Sequence, residues 1–125
     1  MVYANAYLTL ATQQFAGLVA FYSGLLQQPP DPHWPDYYAE FQVPGLRLGI
    51  FSPRADQAGE FCGRGASAMS LCLTVEDLGV AIAHLGALGY PPVGPIRSAS
   101  HGQEVYAYDP DGNRLILHQP RPQPA

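Results

Sequence analysis

Glu104 and His118 are the first pair in this chain whose types and spacing point to chemistry. They bracket the run Glu104-Val-Tyr-Ala-Tyr-Asp-Pro-Asp-Gly-Asn-Arg-Leu-Ile-Leu-His118, which reads as two short strands joined by a tight turn. Simple pairing about that turn sets a carboxylate beside an imidazole. Such a pair can serve as a general base, or can hold a metal together with His33 or His101. A satisfied surface pair is the commoner outcome, and the sequence specifies no third partner. Tyr106 and Tyr108 share the face of Glu104, and Tyr7 and Phe51 are expected on the same surface. Rings give flat apolar area and hydroxyls give orientation, which suits a planar guest; equally, the rings could fill the space themselves. Trp34, with Tyr37 and Tyr38 nearby, falls where a loop could fold over a mouth or pack at a dimer seam. Arg47 projects with Gly49 and Phe51, to meet an anionic ligand or a salt bridge from Glu40 or Glu104. Cys72 has no basic neighbour in sequence that would make it a nucleophile.

The elements that position these residues follow from hydrophobic period. Residues 6–12 alternate as a strand, with Leu8 and Leu10 toward a core and Tyr7, Thr9 and Ala11 opposite. Phe15, Leu18, Val19, Tyr22, Leu25 and Leu26 then recur at helical spacing. Pro29, Pro30, Pro32 and Pro35 forbid helix and predict an extended loop carrying His33 and Trp34. Strands over 37–42 and 46–51 are joined by a Pro44-Gly45 turn. Residues 53–65 are polar and Gly-rich, with no period. A strand over 68–74 sets Met69, Leu71 and Leu73 against Ser70, Cys72 and Thr74. Thr74-Val-Glu-Asp77 has the form of a helix-capping signal. Leu78, Ala81, Ile82, Leu85 and Leu88 continue as a helix that Gly89 ends, with His84 toward solvent. A weak strand over 93–98 and a turn at Gly102 lead into the hairpin. In its turn, Pro110 presets φ for the first central position and Asp111-Gly112 tolerates the bend.

Composition limits the classes of partner. At 125 residues, 47% of them apolar, the chain has enough for one packed domain. A net charge of −4, with six arginines and no lysine, argues against nucleic acid, which needs a basic face. Cys62 and Cys72 lack metal or redox spacing and fit free thiols in a reducing cytoplasm. The first residues lack the basic and apolar runs of a signal peptide, and no stretch is long enough to span a bilayer.

The second half repeats the first at an offset of about 63 residues. Leu8 falls on Leu71, Leu10 on Leu73, Phe15 on Leu78, Val19 on Ile82, Ala20 on Ala83 and Pro29 on Pro92. The expected fold is α+β: two paired βαβββ modules forming a curved, cup-shaped mixed sheet with helices on its convex side. Leu8-Thr-Leu, Ala20-Phe-Tyr-Ser-Gly-Leu-Leu26, Leu73-Thr-Val-Glu-Asp-Leu78 and Tyr108-Asp-Pro-Asp-Gly-Asn-Arg-Leu-Ile-Leu117 make the chain resemble the vicinal oxygen chelate superfamily. That group includes glyoxalase I, bleomycin-resistance proteins and extradiol dioxygenases. The resemblance implies one domain over 1–120, with module one at 5–52, a linker at 53–66, module two at 67–119 and a disordered tail at 121–125. It also implies a cup-shaped binding site and often a homodimer.

The superfamily's metal enzymes carry His, Gln or Glu on four strands. By resemblance those positions fall here on Tyr7, close to Gly49, on Ser70 and on Ile116, a poor donor set for a divalent ion. The expected function is therefore metal-free binding of a small, partly aromatic ligand in the concave cup, with no cofactor. The alternative is a metal-dependent lyase, isomerase or dioxygenase-like enzyme with a displaced metal site. A third option is a module that only dimerises. The ligand-binding residues expected are Tyr7, Thr9, Trp34, Tyr38, Arg47, Phe51, Ser70, Cys72, Glu104, Tyr106, Tyr108, Ile116 and His118. The expected partners are a small molecule and a second copy of the chain, with neither nucleic acid nor membrane, in the cytoplasm.

Overall fold

The computed structural model describes residues 1–61 and 67–122, so Cys62 and the last three residues of the expected tail lie outside the described residues. The chain falls into two compact units, Met1–Arg64 and Gly65–Ala125. The first contains β1 (Leu8–Ala11), α1 (Phe15–Leu26), β2 (His33–Trp34), β3 (Tyr38–Val43) and β4 (Leu46–Phe51). The second contains β5 (Leu71–Thr74), α2 (Leu78–Ala87), β6 (Arg97–Ala99), β7 (Gly102–Tyr108) and β8 (Arg114–Pro120). Each is a βαβββ module with one helix and one four-stranded mixed sheet. The strand orders, β1-β4-β3-β2 and β5-β8-β7-β6, are the same path. In both, the first strand runs parallel to the last and the remaining pairs are antiparallel.

Period-two burial explains why each sheet has one face to spare. Ala39, Phe41, Leu48 and Ile50 are buried in module one, and Val105, Ala107, Leu115 and Leu117 in module two. α1 packs against β4 and α2 against β8. Phe15, Leu18, Val19, Phe21 and Tyr22 form the buried stripe of α1; full burial of a side chain of this kind stabilises the fold by about 1.5–3 kcal/mol. Tyr22 and Leu85, one offset of 63 apart, are both completely buried. The residues that alternate with these core positions form a second, open face on each sheet.

Local chemistry revises several expectations. The cap of α2 is Asp77, whose Oδ1 accepts from the Val80 amide at 3.0 Å, because Thr74 is still in β5. α1 has no side-chain cap of its own; the Thr12 hydroxyl instead accepts from the Gln14 amide at 2.9 Å. The proline-rich loop contains a two-residue strand, β2, on the sheet edge, where missing N–H donors are tolerated. β1 and β5 begin later than alternation suggested, so Tyr7 and Ser70 stand just before their strands. Met69 is exposed and not part of the core, and His84 is half-buried. Ala58–Phe61 make a short 3-10 turn in the stretch expected to lack structure. Gly102 is the first residue of β7 and not a turn residue; at φ 149, a Cβ there would collide with the Gln119 carbonyl oxygen. Among the described residues no helix is long and apolar enough to cross a membrane.

Candidate functional site

Strand register fixes what meets on the open face of module one. Trp34, Tyr38 and Phe51 lie in one row across β2, β3 and β4, continued by Ala11. Glu40, Gly49 and Thr9 make the next row, and Gln42 and Arg47 the third, alongside Tyr7. The Tyr38 ring leans out of its own row and lies across Gly49. A Cβ on Gly49 would stand 2.7 Å from the Tyr38 hydroxyl and 3.1 Å from its ring. That hydroxyl donates to Glu40 Oε1 at 2.7 Å. Glu40 Oε2 accepts from the Gln42 side-chain amide and pairs with Arg47 Nε at 3.4 Å, while Arg47 Nε also donates to Gln42 Oε1 at 3.2 Å. The Tyr38 hydrogen bond holds the Glu40 carboxyl below its usual range against the opposing effect of burial, helped by Gln42 and Arg47. Burial pushes the Tyr38 hydroxyl up to about 12, reinforced by the bond to Glu40 and its charge. The phenol therefore stays a neutral donor and the carboxylate stays charged at neutral pH. Trp34 stands 5.9 Å from Tyr38, ring to ring, with the planes inclined at 34°. Phe51 meets Phe61 edge to face at 5.3 Å.

The open face of module two has the same rows with different chemistry. Arg97, Glu104, His118 and Thr74 form the first row, Tyr106, Ile116 and Cys72 the second, and Tyr108 and Arg114 the third, alongside Ser70. The Arg97 guanidinium lies over the Tyr106 ring, 4.8 Å from its centroid. His101, in the turn before β7, approaches Glu104 Oε2 at 3.8 Å, and its ring lies 4.5 Å from that of His118. His118 Nε2 is 3.4 Å from the His101 carbonyl oxygen. Arg114 is tied down: its Nε donates to the Ser70 hydroxyl and its Nη2 to the Ser67 carbonyl, both at 2.6 Å. The hairpin turn rests on Asp109, which is buried. Its Oδ1 accepts from the amides of Asp111 and Asn113 at 2.9 Å, and its Oδ2 from the Asn113 side chain at 2.7 Å.

The structure thus gathers Thr9, Trp34, Tyr38, Arg47 and Phe51, with Tyr7 beside them, on one face. It gathers Cys72, Glu104, Tyr106, Tyr108, Ile116 and His118, with Ser70 beside them, on the other. Four contributors were not singled out from sequence. Glu40 stood only as a partner for Arg47, and Gln42, Arg97 and Asp109 were passed over. The parity of β3 could have found Glu40 and Gln42, since both alternate with buried Ala39 and Phe41. His33 stacks on Phe15 at 6.2 Å, on the helix-bearing side of its own sheet and not on the open face.

The four positions considered for a metal do not make a donor set. Tyr7 offers a phenol. Gly49 has no side chain and is covered by the Tyr38 ring. The Ser70 hydroxyl is engaged by Arg114, and Ile116 cannot coordinate. Nor, among the described residues, does any group of three or more His, Cys, Asp and Glu side chains come together in a way that could hold a metal ion. His101, Glu104 and His118 are neighbours whose donor atoms do not converge.

Comparison with known proteins agrees with this architecture. No curated protein matches the chain. Among solved structures, a glyoxalase / bleomycin resistance protein from Catenulispora acidiphila is 24% identical, with a TM-score of 0.65 over 92% of this chain and 96% of that one. A glyoxalase-related enzyme from Fulvimarina pelagi is 21% identical, with a TM-score of 0.74 over 92% of this chain and 87% of that one. A variant of the fosfomycin resistance protein FosX from Listeria monocytogenes, complexed with Mn(II) and dihydroxypropylphosphonic acid, is 19% identical. Its TM-score is 0.69 over 94% of this chain and 90% of that one. These likenesses concern the fold. The sequence profile of one family spans residues 5–117, nearly all of both modules, and the chain belongs to that family, the Glyoxalase/Bleomycin resistance protein/Dioxygenase superfamily.

Proposed function

We propose that this protein is a metal-free small-molecule binder of the glyoxalase/bleomycin-resistance type, holding a small, partly aromatic ligand against the open faces of its sheets. The observation that carries the reading is the Tyr38 ring across Gly49, held there by Glu40. By resemblance this strand position bears a chelating side chain in metal-dependent members. Here a ring and a hydrogen-bonded carboxylate take up that space. The remaining rings on the same face, Trp34, Tyr7 and Phe51, supply flat contact area for a guest. The reading takes residues 1–120 as one functional domain acting as a homodimer in the cytoplasm, without nucleic acid or membrane as partner. Two measurements test it together. Elemental analysis of protein purified without chelator should find no stoichiometric metal. Titration with small aromatics should change the fluorescence of Trp34, the one tryptophan, in a saturable way. A stoichiometric metal that the ligand requires for binding defeats the proposal.

The second reading, a metal-dependent lyase, isomerase or dioxygenase-like enzyme, is favoured by one feature. His101, Glu104 and His118 cluster at the end of the β7–β8 hairpin. Their donor atoms do not converge, so it stands behind the first. Removing His118 decides between them: a His118→Ala protein that loses a bound metal supports the enzyme.

A further inference from the structure

Both open faces present ring faces, and among the described residues it is module two whose ring is covered by a guanidinium of its own. In module two the Arg97 guanidinium sits 4.8 Å over Tyr106. The equivalent place in module one, the β2 residue next to the first open-face residue of β3, is Trp34 beside Tyr38, as Arg97 is beside Glu104. A ring therefore stands where module two has a guanidinium. The Trp34 and Tyr38 rings are 5.9 Å apart and inclined to each other, and Trp34 remains 56% exposed. Glu40, next along the same face of β3, is held anionic by its bond from the Tyr38 hydroxyl. Residues 31–51 carry three carboxylates, Asp31, Asp36 and Glu40, against one guanidinium, Arg47. That guanidinium stems from the third row and meets Glu40 Oε2 at 3.4 Å, while Glu40 Oε1 takes the Tyr38 hydroxyl.

Resting on the binding reading above, we infer that the guest of module one is an organic cation, a substituted ammonium whose positive group lies over Trp34 and Tyr38 with Glu40 behind it. The physical reason is that the face of an aromatic ring carries negative potential and attracts a cation within about 6 Å of its centroid, Trp most strongly. A nearby carboxylate adds to the same field. A quaternary ammonium is only weakly hydrated and loses little on leaving water for such a surface. An anion would meet two ring faces of the wrong sign, with the Arg47 guanidinium already paired with Glu40.

The test uses the full chain, with Trp34 fluorescence and calorimetry as readouts and three probes: benzyltrimethylammonium, benzyl alcohol and benzoate. The cation is expected to saturate at a concentration at least about tenfold below the other two, a difference within the range of such interactions. Glu40→Gln should weaken the cation several-fold more than it weakens benzyl alcohol. Trp34→Phe, at an exposed site that should not disturb folding, should reduce the preference for the cation in calorimetry. Equal or tighter binding of benzyl alcohol or benzoate overturns the cation assignment while the binding reading stands. No saturable binding of any probe removes both.

Discussion

The two modules share a path, a helix and a register, yet their open faces have diverged row by row, and the divergence separates what the fold needs from what a ligand needs. Trp34, Tyr38 and Phe51 in module one correspond to Arg97, Glu104 and His118 in module two. Glu40 and Gly49 correspond to Tyr106 and Ile116, while Arg47 corresponds to another arginine, Arg114. The buried positions hardly differ in kind: Phe41, Leu48 and Ile50 against Ala107, Leu115 and Leu117. Core positions admit apolar side chains of suitable volume and little else. Open-face positions are free of that demand, and their types report a different constraint. Module one fills its bare strand position from the side, with the Tyr38 ring. Module two keeps Ile116 there and spends Arg97 on a ring instead.

The comparison can be broken most forcefully at the shared core. Leu85→Ala should destabilise the protein by about 2–5 kcal/mol, since Leu85 is completely buried. Chemical denaturation measures it, and a cost below about 1 kcal/mol would mean that module two does not rely on its helix as module one relies on Tyr22. The hairpin turns come next. Asp109→Ala removes the acceptor of three hydrogen bonds and should cost about 2–3 kcal/mol. Gly45→Ala, in the tighter turn of module one at φ 83, should cost about 1 kcal/mol. A reversal of that order would show that the longer turn is not held by its carboxylate.

Gly49→Ala sharpens the contrast between the faces. The new methyl must displace the Tyr38 hydroxyl, so a loss of about 1–2 kcal/mol is expected, at the lower part of the range for overpacking. The same change in the Tyr38→Ala background should cost little, and a double-mutant cycle reads the coupling. Tyr38→Phe addresses pH. The Glu40 carboxyl is held low in the folded state, so its contribution is complete above its ordinary value of 4.5 and is lost as pH falls through the depressed value. Tyr38 runs the other way: its value is raised to about 12, so its contribution is complete below pH 10 and is lost as pH rises toward 12. Tyr38→Phe should flatten the stability profile at both ends, and spectrophotometric titration should show one fewer late-titrating tyrosine. The smallest effect is expected at Arg47→Ala. The Arg47 end of its ion pair is exposed while the Glu40 end is mostly covered, so about 0.5–1 kcal/mol is expected, diminishing with salt.

The sequence by itself determined the repeat, the helices and the strand faces. The offset of 63 residues survives in β1 and β5, which start at Leu8 and Leu71, and in α1 and α2, which start at Phe15 and Leu78. Period 2 and period 3.6 are written by solvent exposure into every amphipathic element, and so they can be read without coordinates. The rings on each module's open face were legible for the same reason, because parity alone assigns Tyr7 and Phe51 in module one, and Tyr106 and Tyr108 in module two, to the non-core side of their own sheet. Tertiary structure alone decided who touches whom. β2 was hidden among prolines because an edge strand of two residues has no period. The cap falls on Asp77 and not on Thr74 because Thr74 is held in β5 by its pairing with His118. The lean of Tyr38 over Gly49, its bond to Glu40 and the placing of Arg97 over Tyr106 depend on cross-strand register and side-chain rotamers. Those are set by contacts between segments far apart in the chain, which no local pattern encodes.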